Sequence, residues 1–209
     1  MPRNFRLPQL ARVTAALGAV AALAVGGLAA PAQALTKAEK QRGMRTSVYV
    51  EGDSLTVGAG PVIKRKLRSG VRSVGVDAEI GRFTATGMSR LARDSRAKRA
   101  RIWVLALGTN DGPDPAALKR HVNRSLRLAG PKREVIWLTV VRPGGYGKVN
   151  RMLRATDKKA GRLHVVDWAK AVDRNPGLIG GDGVHGTSRG YEVRGSMIAT
   201  TALQLARRG

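Results

Sequence analysis

The sequence predicts a three-layer α/β fold, a five-stranded parallel β-sheet with helices on both faces. Three observations carry this. Short apolar runs recur at 47–50, 74–80, 102–107, 134–140 and 163–166; helical patterns lie between them; and the run at 102–107 is apolar throughout. A strand covered on both faces reads as such a continuous run. Alternation of strands and helices sets successive strands parallel.

The elements follow in order. Arg3, Arg6 and Arg12 precede an apolar stretch over 13–30, which ends in Pro31-Ala32-Gln33-Ala34. A basic start, an apolar middle and an Ala-x-Ala ending describe a secretory signal peptide over 1–34, cleaved after Ala34. An uncleaved anchor is the rival reading. The stretch approaches spanning length, but it is rich in Ala and Gly rather than Leu, and a good cleavage site follows. No later run is long enough to span a bilayer, so no transmembrane segment is expected after cleavage. Residues 35–45 are polar and basic and read as a poorly ordered lead-in. Residues 46–209 read as one domain, without internal repeat or linker.

The first strand, over 47–50, runs into Gly52-Asp53-Ser54-Leu55. Gly suits a turn and Asp and Ser suit a helix N-cap, so a strand-to-helix junction explains this stretch. A nucleophilic Ser54 at the carboxyl end of a strand explains it equally well. The second strand is followed by Gly81-Arg82, with Gly87 further on, and the third by Gly108-Thr109-Asn110-Asp111. Asp114-Pro115 then starts a helix whose Leu118, Val122 and Leu126 recur every four residues before Gly130-Pro131 stops it. A helix over 146–160 lies between the fourth and fifth strands. Gly181-Asp182-Gly183-Val184-His185 precedes a final helix starting near Thr187-Ser188, with Val193, Met197, Ile198 and Leu205 facing inward. In parallel sheets, sites form beyond the carboxyl ends of the strands. The strand-end loops therefore bring Ser, Gly, Asn, Asp and His to one rim.

Composition narrows the chemistry. The chain has 209 residues and no cysteine, which excludes disulfides, thiol catalysis and Cys-ligated metals. Lys and Arg number 38 against 14 Asp and Glu, a net charge of +24, of which the three leader arginines leave +21. Such a balance inside a cell points to nucleic acid. In an exported protein it points to adhesion on anionic cell-wall polymers or lipid head groups, and no nucleic-acid partner is expected. Dispersed charge that merely solubilises is the alternative, although the basic residues cluster at 64–68 and 96–101. No metal is expected, because no His–x–x–His or carboxylate–His spacing occurs beyond Asp182/His185. No cofactor is expected either: "GDSLTVGAG" lacks the Lys of a phosphate-cradling loop.

"GDSL", "GTND" and "DGVH", in that order and each after a predicted strand, resemble the SGNH or GDSL-type hydrolases, whose hallmark residues are Ser, Gly, Asn and His in four blocks. The resemblance runs from about Val48 to the final helix. It implies a flavodoxin-like three-layer α/β/α fold and a serine esterase. "VDAEIGR" and "LTVVRP…VN…VVDW…DGVH" are further similar to domains that handle O-acetyl groups on bacterial cell-wall glycans. For the second block the resemblance suggests Gly81, with Gly87 the fallback.

The residue chemistry agrees. Ser54 attacks an ester carbonyl, His185 takes its proton and later protonates the leaving alcohol, and Asp182, three residues earlier on the same loop, holds the imidazole tautomer. Backbone N–H groups of Ser54 and Gly81 and the amide of Asn110 meet the oxyanion. His121 lies among Lys119, Arg120 and Arg124 on a helix and reads as solvated, while His164 falls inside a strand, so His185 is the base by elimination. Asp53 and Asp111 read as loop stabilisers. Arg142 reads equally as pocket lining or plain surface. Short loops and 4% aromatic residues predict a shallow site for short acyl groups on a bulky alcohol such as an acylated glycan, in a monomeric secreted esterase. An O-acyltransferase with the same triad, and a non-catalytic basic wall-binding protein on this scaffold, are the alternatives.

Overall fold

The computed structural model describes residues 34–208, so the expected signal peptide lies, but for Ala34, outside the described residues. In chain order the elements are α1 (Lys37–Arg45), β1 (Ser47–Gly52), α2 (Ser54–Leu67), β2 (Ser73–Ala78), α3 (Thr84–Arg93), α4 (Ser95–Arg99), β3 (Ile102–Ala106), α5 (Pro115–Ala129), β4 (Glu134–Leu138), α6 (Gly147–Asp157), β5 (Leu163–Val166), α7 (Trp168–Arg174) and α8 (Ser188–Arg208). The strands form one parallel sheet in the order β2-β1-β3-β4-β5. The predicted flavodoxin-like three-layer architecture is therefore the observed one. β1 and β3 lie side by side, with Val48 opposite Ile102 and Gly52 opposite Ala106. Their connections leave on opposite faces of the sheet, which opens a crevice beyond their carboxyl ends.

Two apolar cores fill the spaces on either face. Tyr49, Trp103, Leu105, Trp137, Met88, Leu91, Val122 and Leu153 make one, beneath α3 to α6. Val50, Val104, Ile136, Ile63, Leu67, Ile198 and Ala202 make the other, beneath α2 and α8. β3 is buried at every position, as its unbroken apolar run requires.

Several expectations are corrected. The basic stretch before β1 is a helix: Thr36 Oγ1 accepts from Glu39 N at 3.2 Å while Glu39 accepts from Thr36 N at 2.8 Å, a reciprocal capping box. Gly43 packs where a Cβ would lie 2.4 Å from Gly70 O. The second strand ends at Ala78, because the chain turns through Glu79–Gly81 and Gly81 has φ +75°. On α8, Val193 and Met197 are only half-buried, and the fully covered face runs through Gly190, Arg194, Gly195 and Ile198. α3, α4 and α7 have no counterpart among the predicted elements. α3 begins Thr-Ala-Thr-Gly, a poor helix signal by propensity, and its N-cap residue Phe83 makes no side-chain cap bond.

α2 and α8 touch through glycine. A Cβ on Gly195 would lie 2.7 Å from the Val62 side chain and 3.2 Å from Ala59 O, and one on Gly58 would lie 2.5 Å from the Tyr191 ring. Gly195→Ala is therefore expected to force the two helices apart and destabilise the protein by about 1–3 kcal/mol, read as a lower urea midpoint at unchanged slope. An unchanged midpoint would show that the interface has slack.

Candidate active site

The site is built on three neighbouring strand ends and one late loop. β1 ends at Gly52, whose missing side chain leaves room for Thr56: a Cβ there would fall 2.0 Å from Thr56 Oγ1. Asp53, fully buried, is the N-cap of α2, and its Oδ1 accepts the Leu55 N–H at 3.1 Å. Ser54 is thus the first helical residue. Its own N–H makes no hydrogen bond among the described residues and points from a helix N-terminus, where the peptide dipoles favour negative charge. Burial pushes the Asp53 carboxyl up, and the positive charge of Arg194, buried on α8 over the Trp168 ring, opposes that. Asp53 therefore stabilises the junction, as expected of it.

The late loop folds upon itself. An isolated antiparallel bridge joins Ile179 to Gly186, and Gly180 N donates to His185 O at 2.8 Å. Within it, Asp182 Oδ1 accepts the N–H groups of Val184 and His185, both at 2.9 Å, and its Oδ2 lies 2.6 Å from His185 Nδ1. Gly183 turns the chain at φ +70° against Pro143. The His185 side chain, followed by the two backbone N–H groups, holds the Asp182 carboxyl down to about 2. The other ring nitrogen, Nε2, is 3.0 Å from Ser54 Oγ. Ser54, His185 and Asp182 thus stand in one hydrogen-bonded row. His185 and Asp182 are each about half exposed, so the row lies on an open rim.

The second and third loops are tied to each other. Asn110 Nδ2 donates to Arg82 O at 3.1 Å, and its second hydrogen makes no bond among the described residues. The Gly81 N–H is likewise unengaged there. Gly87 is not an available donor: its N–H bonds Phe83 O at 3.0 Å inside α3, and its bare Cα gives way to Leu107 and Glu51. The structure separates the two candidate glycines on that ground. Asp111 caps α3, accepting Thr84 N at 2.9 Å. Arg142 donates to Thr109 O at 3.1 Å, and Tyr146 OH bonds the same carbonyl. His121 is half-buried rather than solvated, and burial lowers its pKa. His164 sits on β5 beside Glu134.

Sequence reasoning missed Glu51 and Arg82. Glu51 is fully buried at the end of β1 and pairs with the Arg82 guanidinium, which also reaches Asp77 Oδ1 at 2.8 Å and Glu79 Oε2 at 3.1 Å. This pins the loop that carries Gly81, while the Arg82 carbonyl orients Asn110. A carboxylate inside the apolar run Val48-Tyr49-Val50-Glu51 was the available signal, since buried charges are paired. Around the rim, Val57, Ile80 and Phe83 are exposed apolar side chains. Among the described residues, no group of three or more His, Asp or Glu could hold a metal ion. No described helix is long and apolar enough to cross a membrane.

No family model matches the chain. The O-acetyltransferase OatA of Staphylococcus aureus (strain NCTC 8325 / PS 47) is 28% identical over 160 residues, 75% of this chain and 25% of that protein. The chain thus spans about a quarter of the length of the curated relatives it matches. Among solved structures, the C-terminal catalytic domain of the Streptococcus pneumoniae peptidoglycan O-acetyltransferase A superimposes with a TM-score of 0.66 at 21% identity, over 79% of this chain and 97% of that one. A lipase/acylhydrolase from Enterococcus faecalis gives 0.66 at 20%, covering 77% and 96%. A GDSL-like lipase from Bacteroides thetaiotaomicron gives 0.61 at 17%, covering 82% and 91%. The resemblance to SGNH and GDSL-type proteins holds in the fold.

Burial pushes the Glu51 carboxyl up to about 7, with Arg82 pulling it back. Arg82→Ala leaves that carboxylate without its cation and is expected to cost about 3–5 kcal/mol of stability at neutral pH. Because a raised folded-state pKa is a stabilising contribution lost as pH rises, the deficit should shrink at pH 5, where Glu51 can take up a proton, and grow at pH 8. Unfolding the variant in denaturant at both pH values checks this; equal deficits would contradict it.

Proposed function

We propose that the protein is a secreted serine esterase that removes short, acetyl-type acyl groups from a carbohydrate or cell-wall polymer. The observation that carries this reading is the row Ser54 Oγ–His185 Nε2 at 3.0 Å and His185 Nδ1–Asp182 Oδ2 at 2.6 Å. With Nδ1–H donated to Asp182, Nε2 is left as the acceptor for the serine proton. Ser54 Oγ adds to the ester carbonyl as His185 takes its proton. The oxyanion is met by the Ser54 N–H, the Gly81 N–H and the free hydrogen of Asn110 Nδ2. Collapse expels the alkoxide, which His185 protonates, leaving acyl-Ser54. Water, activated by neutral His185, adds to the acyl carbonyl and releases the carboxylic acid and Ser54. No residue of this sequence is asked to hold a cofactor.

Two features support a short acyl group on a bulky alcohol. The triad stands half exposed rather than at the bottom of a tunnel, and the rim is lined by a few apolar side chains, Val57, Ile80 and Phe83. An open rim also admits water as acceptor. The names of the relatives favour a second reading, in which a sugar hydroxyl takes the acyl group from Ser54 and the enzyme is an O-acetyltransferase. Export follows from the leader sequence and is part of the proposal.

The deciding experiment supplies an activated acetate ester with and without a soluble glycan acceptor. Free acetate at an unchanged rate supports the esterase, acetylated glycan supports the transferase, and no turnover distinguishable from Ser54→Ala rejects both. Ser54→Ala and His185→Ala should each remove nearly all turnover, with Asp182→Asn leaving more. Labelling of any serine but Ser54 by a phosphonylating reagent would contradict the assignment. Asn110→Ala should lower kcat by roughly 10²–10³ with little change in KM, because the oxyanion exists only near the transition state. Activity should rise with pH to an alkaline plateau as the imidazole becomes neutral. With Asp182 held down to about 2, its own titration should add no limb between pH 4 and that rise.

A further inference from the structure

The two basic clusters of the sequence meet at one edge of the sheet. Lys64 and Arg65 of α2 and Arg68, which caps its end, line a hollow of about 580 Å³ together with Arg72, Ser73 and Val74 at the start of β2. Arg72, Ser73 and Val74 also line a second hollow, of about 300 Å³, with Arg96 and Arg99 of α4. The edge strand β2 is thus a ridge between two basic hollows, one on each face of the sheet, and neither is lined by an acidic side chain. Arg65 pairs with Glu192 and Arg96 with Asp94. Lys64, Arg68, Arg72 and Arg99 have no carboxylate partner among the described residues.

A structural reason for cations here exists, but it is too small. α2 ends at this pole, and its carbonyl end carries roughly half a negative charge, against Lys64, Arg65, Lys66 and Arg68 within one turn of it. Elsewhere at the amino ends of the strands, Arg45 and Arg101 also lack a carboxylate among the described residues, while two further arginines are occupied. Arg133, before β4, donates to Ala100 O, Ala129 O and Lys98 O, and Arg162, before β5, donates to Gly130 O and Arg133 O. The β2 edge is where four such unpaired cations gather about one strand.

We propose that this edge binds a linear polymer of phosphodiesters that carries no bases, with successive phosphates held on either side of β2 by Lys64, Arg68, Arg72 and Arg99. Guanidinium forks suit phosphate oxygens, and cations on both faces of a ridge suit a chain that crosses it rather than a single small anion. Neither hollow offers an aromatic ring for base stacking. A membrane surface would want a band of large exposed apolar side chains beside the charges; Met44 comes near this edge and Pro61 and Val71 line the first hollow, but Ile80 and Phe83, the most exposed large apolar residues, lie past the other end of β2. The proposal does not rest on the catalytic reading.

The test titrates the protein with linear inorganic polyphosphate, and in parallel arms with double-stranded DNA and with anionic phospholipid vesicles, at several salt concentrations. The variant K64Q/R68Q/R72Q/R99Q should weaken polyphosphate binding at least tenfold and lower the log–log salt slope by about three, at ~0.7 for each phosphate no longer neutralised. The control K119Q/R120Q/R124Q/R127Q, which removes the same charge from α5, should change binding less than threefold. As a measurement that needs no variant, polyphosphate should slow modification of Lys64 by an amine reagent and leave Lys119 unaffected. Equal weakening in both variants, or no protection of Lys64, would overturn the site. Tighter binding of DNA or vesicles with the same sensitivity to the variant would overturn the partner.

Discussion

Everything at the candidate site depends on how closely α2 approaches α8. Ser54 opens α2, and α8 begins three residues after His185, so the helix separation sets the distance between these two side chains. Gly58, Gly190 and Gly195 hold that separation. A Cβ on Gly190 would lie 1.9 Å from Leu178 O, at the end of the 3-10 turn Pro176–Leu178 that leads into the Asp182 loop. Bare Cα atoms allow the helices and the loop to come together without displacing backbone. Interiors packed to crystal-like density transmit such shifts, so a methyl group here reaches the 3.0 Å Ser54–His185 contact although it touches neither residue.

A second constraint lies beneath the other half of the site. Ion pairs of a buried carboxylate are poor sources of net stability, and Glu51 with Arg82 is better understood as a device for position. Removing either charge strands the other, so the loop has few alternative placements. The device acts at two points, through the Gly81 peptide and through the Arg82 carbonyl that receives Asn110. Asp53 with Arg194 places a second opposed pair of charges behind Ser54, where the bulk of the protein screens them from water. Both pairs join elements distant in sequence, β1 to the loop after β2 and the α2 cap to α8.

Fold class was legible because parallel strands covered on both faces announce themselves as apolar runs, and Ile102 to Leu107 does so without interruption. Ser54, Asn110, Asp182 and His185 were legible because each follows a strand or precedes the last helix in a short polar motif. Long-range partners were not. Nothing local in "GRF" says that Arg82 will be buried, and Arg194 lies on a face where periodicity alone favoured Val193 and Met197 (both half-buried in the event). The choice between Gly81 and Gly87 needed the extent of α3, because an N–H engaged inside a helix is removed from the pool of donors. α1 was obscured by its charge, which masked a capping box written plainly as Thr36 and Glu39.

The basic edge lies at the amino ends of the strands and the candidate triad at their carboxyl ends, so the length of β1, six residues at ~3.3 Å each, separates them by roughly 20 Å. A protein seated by that edge keeps its triad turned toward open solvent and free to swing over neighbouring material. Adsorption of this kind exchanges a three-dimensional search for a lateral one, with a fixed working height above the layer. Groups lying flush with the seat would be out of reach of the candidate triad, and those on strands standing proud of it would be met first.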